Sequence, residues 1–171
     1  MRIVGTKGNM LLWDREKTLF LCSKRTPYGY YERIFSWADG LTENDCVMCC
    51  DTTEMEREVF TALLVNKVPT ILVITNKFNE ENNLQVELAL REKRLLVVIL
   101  GREQDDRGIT PVLRNRFLLI HAAHVVAGYV SMNGNVRPLL KRRSGVEYLL
   151  GEEPSSIAAE KRGYQWLMAH I

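Results

Sequence analysis

Five short apolar runs punctuate the chain at regular spacing, at residues 18–22, 46–50, 70–75, 95–100 and 125–130. Each is nearly continuous in Val, Ile, Leu and Cys and lacks the alternation that a sheet with one wetted face imposes. They are predicted to be parallel strands covered on both faces. Between them lie stretches with helical periodicity. Over 56–66, Val59, Phe60, Leu63 and Leu64 share one side, while Glu56, Arg57, Glu58 and Lys67 put their charges elsewhere. Residues 83–93 and 111–123 repeat the theme, and 28–40 is a more aromatic version. This alternation predicts right-handed βαβ units. The expected fold is α/β: a single doubly wound, mostly parallel sheet of five or six strands with helices on both faces.

Two helix starts carry their own chemical signatures. Thr53-Glu54-Met55-Glu56 is a capping box, in which the hydroxyl accepts from an early amide and the carboxylate reaches back to the cap amide. Thr110-Pro111 is a cap followed by proline at the first helical position. Near the end, a loop rich in small and polar residues (151–156) precedes 157–171, where Ile157, Trp166, Leu167 and Met168 predict a docked helix. The expected organisation is one domain over 1–150 and a helical extension over 151–171, docked on that domain or on a second copy in a homo-oligomer.

Composition agrees with one folded domain: 171 residues, 46% hydrophobic and 26% charged. Lys and Arg number 23 against 21 Asp and Glu, a net charge of +2, so any nucleic-acid partner has to be argued from local clusters. No apolar run approaches the roughly 20 residues that cross a bilayer. The first residues lack a basic leader followed by an apolar stretch and a cleavage site. A cytoplasmic location and no membrane partner are expected. Three of the four cysteines (Cys22, Cys46, Cys49, Cys50) fall in one strand-like run, where a disulfide framework would distort the strand. They read as reduced thiols. Cys46 and Cys49 have CxxC spacing, but no second pair at finger-like spacing completes the four ligands zinc needs.

In open α/β sheets ligands bind beyond the carboxyl ends of the strands, where strand order reverses. The residues that follow the predicted strands are Ser23, Lys24 and Arg25; Asp51, Thr52 and Thr53; Thr75 and Asn76; Gly101 and Arg102; and Ser131, Asn133, Gly134 and Asn135. Their amides, hydroxyls and cations suit an anion such as phosphate. The same residue types also cap helices and build turns. Arg114-Asn115-Arg116 is the most informative segment. With Thr110 as the cap, both arginines lie within about two turns of the positive helix end, where a cation gains nothing from the macrodipole. Two accounts stand: an anion held by guanidinium forks, or pairing with a nearby carboxylate such as Asp105 or Asp106.

Arg114-Asn115-Arg116, followed by an apolar helix, a strand and a Gly-containing loop, resembles the Arg-Asn-Arg segment of the DNA-processing protein A (DprA/Smf) family and of short stand-alone relatives in the wider SLOG group. The first run, 19–24, resembles the family strand that ends in Gly-Ser-Arg. Residues 53–59 look like the Ser-Pro-Leu-Glu segment of the short relatives, and 67–73 like their helix-to-strand turn. The likeness runs from about residue 9 to 150; Gly134 alone represents the family's Gly-Ser loop. It implies a Rossmann-like core that binds a nucleotide or a single-stranded DNA backbone in DNA processing. Ser23, Lys24, Arg25, Thr52, Thr53, Arg114, Asn115, Arg116, Ser131, Asn133, Gly134 and Asn135 would form the phosphate site.

Other chemistries find less support. No GxGxxG opens a helix after the first strand and no GxxxxGK[ST] is present. His121 and His124 sit near a predicted helix end, which itself favours cations. A phosphoribohydrolase-like enzyme would want Pro-Gly-Gly-x-Gly-Thr with a following Glu, which 131–137 lacks; nucleotide processing is thus the alternative to binding. No catalytic residue, metal or dedicated cofactor is identified, apart from a bound nucleotide. Arg137, Lys141, Arg142 and Arg143 either extend a basic track or complement a helix carboxyl end.

Overall fold

The structure, a computed structural model, describes residues 1–76, 78, 83–101 and 108–149. Seven strands form one sheet: β1 (Arg2–Gly8), β2 (Thr18–Leu21), β3 (Val47–Cys49), β4 (Thr70–Ile74), β5 (Leu95–Gly101), β6 (His124–Ala127) and β7 (Val146–Tyr148). Their spatial order is β1-β5-β4-β3-β2-β6-β7. β1 runs antiparallel to β5, and every other neighbouring pair is parallel. The helices are α1 (Tyr31–Asp39), α2 (Glu54–Val65), α3 (Leu84–Arg91), α4 (Pro111–His121) and the short α5 (Arg137–Leu140).

Successive strand residues feed two cores on opposite faces. Phe20, Val47, Cys49, Leu72 and Val97 pack with Ile34 of α1, Val59 and Leu63 of α2, and Val86 and Ala89 of α3. Leu19, Leu21, Met48, Ile71, Val73, Leu96 and Val98 pack with Leu118 and Leu119 of α4, together with Leu12 and Leu140. Burial on both faces is why the central strands read as continuous apolar runs. It also splits the CxxC pair: Cys46 belongs to one core and Cys49 to the other, so the two thiols cannot share a ligand. All four cysteines are buried and free.

Among the described residues the sheet has seven strands where the sequence suggested five or six. The addition at one edge is β1, in which every residue except Gly5 is exposed, so no apolar run announces it. At the other edge, β7 is only three residues long. The sixth strand is also shorter than the apolar run at 125–130, because the chain leaves the sheet at Gly128. A Cβ there would lie 3.0 Å from both Phe20 Cζ and Ile34 Cδ1, a contact only glycine avoids. Both helix starts are as expected: Thr53 and Glu56 form a complete capping box, and Thr110 Oγ1 accepts from Leu113 N ahead of α4. No described helix is long and apolar enough to cross a membrane. Arg102, Asp105, Asp106 and the extension over 151–171 lie outside the described residues.

Candidate functional site

β2 and β6 are adjacent and parallel, yet the chain leaves them in opposite directions: from β2 through β3 and β4 to β5, and from β6 to β7. Loops that diverge from neighbouring strand ends leave a crevice between them. A cavity of about 340 Å3 occupies it. Its walls are Cys22, Ser23 and Lys24 after β2, Thr52, Thr53 and Glu56 at the start of α2, Pro111, Arg114 and Asn115 on α4, and Ser131, Asn133, Gly134, Asn135 and Val136 after β6. Two bonds tie the loops together: Ser23 N donates to Tyr129 O at 2.8 Å, and Ser131 N donates to Ser23 Oγ at 3.0 Å. Gly134 rests against that tie, since a Cβ on it would lie 3.2 Å from Ser23 Oγ.

Arg114 is 6% exposed and Asn115 2%. The Asn115 Oδ1 accepts from Arg114 Nε at 3.2 Å and from Nη2 at 2.9 Å, which engages two of the five guanidinium donors. Among the described residues no carboxylate lies within 4.0 Å of this guanidinium. A buried cation is thus held in place by a neutral amide, with its remaining donors at the cavity wall. Arg116 does not share this position. At about 100° per residue it is turned roughly 200° from Arg114 around the helix; it is exposed and outside the cavity lining.

Glu56 is 1% exposed and also lines the cavity. Its Oε2 accepts from Thr52 Oγ1 at 2.7 Å and from Thr53 N at 3.1 Å, while Thr53 Oγ1 accepts from Glu56 N at 3.1 Å. Its Oε1 accepts nothing from the described residues. Cys22 is the one thiol at the cavity. Burial pushes it up to about 12, partly offset by its contact with the Thr26 hydroxyl, so it stays protonated at neutral pH.

Of the residues expected at the site, Ser23, Lys24, Thr52, Thr53, Arg114, Asn115, Ser131, Asn133, Gly134 and Asn135 come together around one cavity. Arg25 and Arg116 do not. Arg25 is exposed at a left-handed φ of 56°, in the turn that carries the chain away from β2. Cys22, Glu56, Pro111 and Val136 join the lining unexpected. Glu56 had a signal, its place in the capping box, but a cap alone does not say which way the second oxygen faces. Thr75 and Asn76 line a neighbouring cavity instead.

Arg143, His121 and His124 have structural partners. Arg143 donates to the carbonyls of Leu119, Ala122 and Ala123, closing the carboxyl end of α4. His121 Nδ1 pairs with Phe117 O and His124 Nε2 with Glu16 Oε1, so the two imidazoles serve separate contacts. Among the described residues no group of three or more His, Cys, Asp or Glu could hold a metal.

No protein-family model and no curated protein sequence matches the chain. Among solved structures, the fold is that of DNA processing protein A. The protein from Streptococcus pneumoniae is similar with a TM-score of 0.64 at 17% identity, over 96% of this chain and 60% of that one. The Helicobacter pylori protein, in a structure described for its single-stranded DNA binding mode, is similar with a TM-score of 0.59 at 17% identity, over 96% of this chain and 86% of that one. The chain therefore spans only about three fifths of the pneumococcal protein.

Proposed function

We propose that this chain, on a core with the fold of DNA processing protein A, binds the phosphate of a nucleotide or of a single-stranded DNA backbone at the cavity between β2 and β6. The winding is read as doubly wound, with this cavity at its switch point. One observation carries the reading: the Arg114 guanidinium is buried at the cavity wall with no carboxylate partner among the described residues. Burying a lone cation is costly unless a counter-charge arrives, and a phosphate oxygen pair matches its fork. Lys24 adds a second positive charge, and Ser23, Thr52, Thr53 and the loop around Gly134 offer hydroxyl and amide groups. The direct test is titration of oligo(dT) and a nucleotide panel into wild type and Arg114→Met. Unchanged affinity for every ligand that wild type binds would remove the cavity as the site.

Arg25 and Arg116, exposed outside the cavity, touch only a ligand that extends beyond it. Arg116→Ala is thus expected to leave mononucleotide affinity unchanged, to weaken oligo(dT) binding a few-fold, and to reduce the salt slope of strand binding by about one. Fluorescence anisotropy at several salt concentrations reads both. An identical response of the two ligands would count against a strand that leaves the cavity.

Glu56 favours a second reading, turnover of a nucleotide by phosphoribohydrolase-like chemistry. Its buried carboxylate has one oxygen fixed by two hydrogen bonds and the other open to the cavity, as an acid or base beside a sugar requires. Base release from nucleoside monophosphates, followed by chromatography, should then occur in wild type and vanish in Glu56→Gln. That variant keeps the capping box, which accepts Gln. No release by wild type would leave binding alone.

A further inference from the structure

A second cavity of about 360 Å3 opens on the same edge of the sheet, between α2, the end of β4 and the start of α3. It differs from the first in its floor and in its charge. Phe60, Leu72, Ile74 and Val86 give it an apolar floor. Asp51 and Arg57, one charge of each sign, are the charged side chains among its described walls, and Arg57 Nη1 is already spent on Asp51 O at 2.9 Å. Such a cavity has no surplus of positive charge among its described walls to draw a phosphate. It suits a flat, uncharged group that hides its faces and offers polar edges, since ligand sites combine apolar walls with a few placed polar groups.

The two cavities are neighbours: Thr52 lines both. The first lies between the ends of β2 and β6 and the second over those of β3 and β4, so their centres are separated by about two strand spacings of ~4.8 Å each. An extended nucleotide reaches about that far from its phosphate to the outer edge of its base. Asn83, whose Oδ1 accepts from Val86 N at 3.2 Å, keeps its amide donors at the rim for a base edge.

From this we propose that the second cavity is the base subsite of the ligand whose phosphate the first cavity takes. The ligand is then a nucleotide unit, free or within a single strand, and not a bare phosphate or sugar phosphate. The inference rests on the phosphate reading above.

Isothermal titration of wild type compares thymidine 5′-monophosphate with deoxyribose 5-phosphate, and oligo(dT) with an abasic strand of equal length. Because burying a base in such a site stabilises its complex, the base-bearing member of at least one pair should bind about tenfold more tightly. A gain confined to the strand pair assigns the subsite to a strand; a gain in the monomer pair assigns it to a free nucleotide. Thr61→Trp fills the second cavity from an exposed position on α2, outside the first cavity. It should erase the gain while leaving deoxyribose 5-phosphate affinity as in wild type, which also reports that the variant is folded. Equal affinities within both pairs would overturn the base subsite alone. Failure of all four ligands to bind would overturn the phosphate reading with it.

Discussion

Replacing Arg114 with Met is expected to weaken binding of the phosphate ligand by about 30- to 1000-fold while making the ligand-free protein melt higher. The two effects share one cause. Truncating one partner of a buried, hydrogen-bonded charge pair costs about 2–4 kcal/mol of binding, which is that range of affinities. In the ligand-free protein the same guanidinium is a buried charge that, among the described residues, only the Asn115 amide compensates. Replacing buried ionic groups with apolar side chains of similar volume is often stabilising by about 1–4 kcal/mol. Met leaves Asn115 Oδ1 without its donor, a cost of about 1–3 kcal/mol, so the net gain should be modest: about 1 kcal/mol, or roughly 2–4 °C in melting temperature for a chain of this size. The double variant Arg114→Met/Asn115→Leu removes that residual cost and should melt higher still. Calorimetric melts beside ligand titrations make the comparison. A variant that melts lower and binds as well as wild type would make Arg114 a structural residue, held for packing rather than for a ligand.

Whether a feature was legible in the sequence depended on whether it was written in a local pattern. The inner strands were legible because burial on both faces gives continuous apolar runs, and the starts of α2 and α4 because caps are local chemistry. β1 was not, because an exposed edge strand gains its place from backbone pairing with β5 and leaves no side-chain signature. Most of the cavity lining was legible by one rule, that polar residues just after parallel strands meet at one edge. The rule failed where side-chain direction decides. Arg114 and Arg116 look equivalent as a motif, but two helical positions apart they cannot face the same wall, and the period of the helix alone would have separated them. Glu56 shows the opposite limit. Its capping role was legible, and only the fold reveals that satisfying the cap with Oε2 leaves Oε1 beside Arg114's cavity.

The buried thiols predict steep alkaline unfolding. Burial raises Cys22 from 9.0 to about 12, and raises Cys49 and Cys50 as well, the nearby Arg114 charge only partly offsetting the shift at Cys50. Below pH 9 these thiols are protonated in both folded and unfolded chains and stability does not depend on them. Above pH 9 the unfolded chain releases protons that the folded chain keeps, so stability falls by about 1.4 kcal/mol per pH unit for each thiol. For Cys22 this continues until the folded thiol itself ionises near 12. Three such thiols give a slope of about 4 kcal/mol per unit, enough to erase a domain stability of roughly 5–15 kcal/mol within about one to four units. Urea melts between pH 8 and 11 measure the slope. Lys and Tyr also titrate there, so the decisive quantity is the difference from Cys22→Ala, Cys49→Ala and Cys50→Ala, each of which should flatten the slope by about 1.4 kcal/mol per unit whatever it does to stability at pH 8. A slope unchanged in all three variants would mean that the folded thiols ionise as freely as unfolded ones. Cys22 would then be an available nucleophile at the wall of the candidate site, and the cavity would have to be read as a reactive one. A flattened slope keeps Cys22 a protonated, apolar part of that wall and leaves the chemistry of the cavity to Arg114 and Glu56.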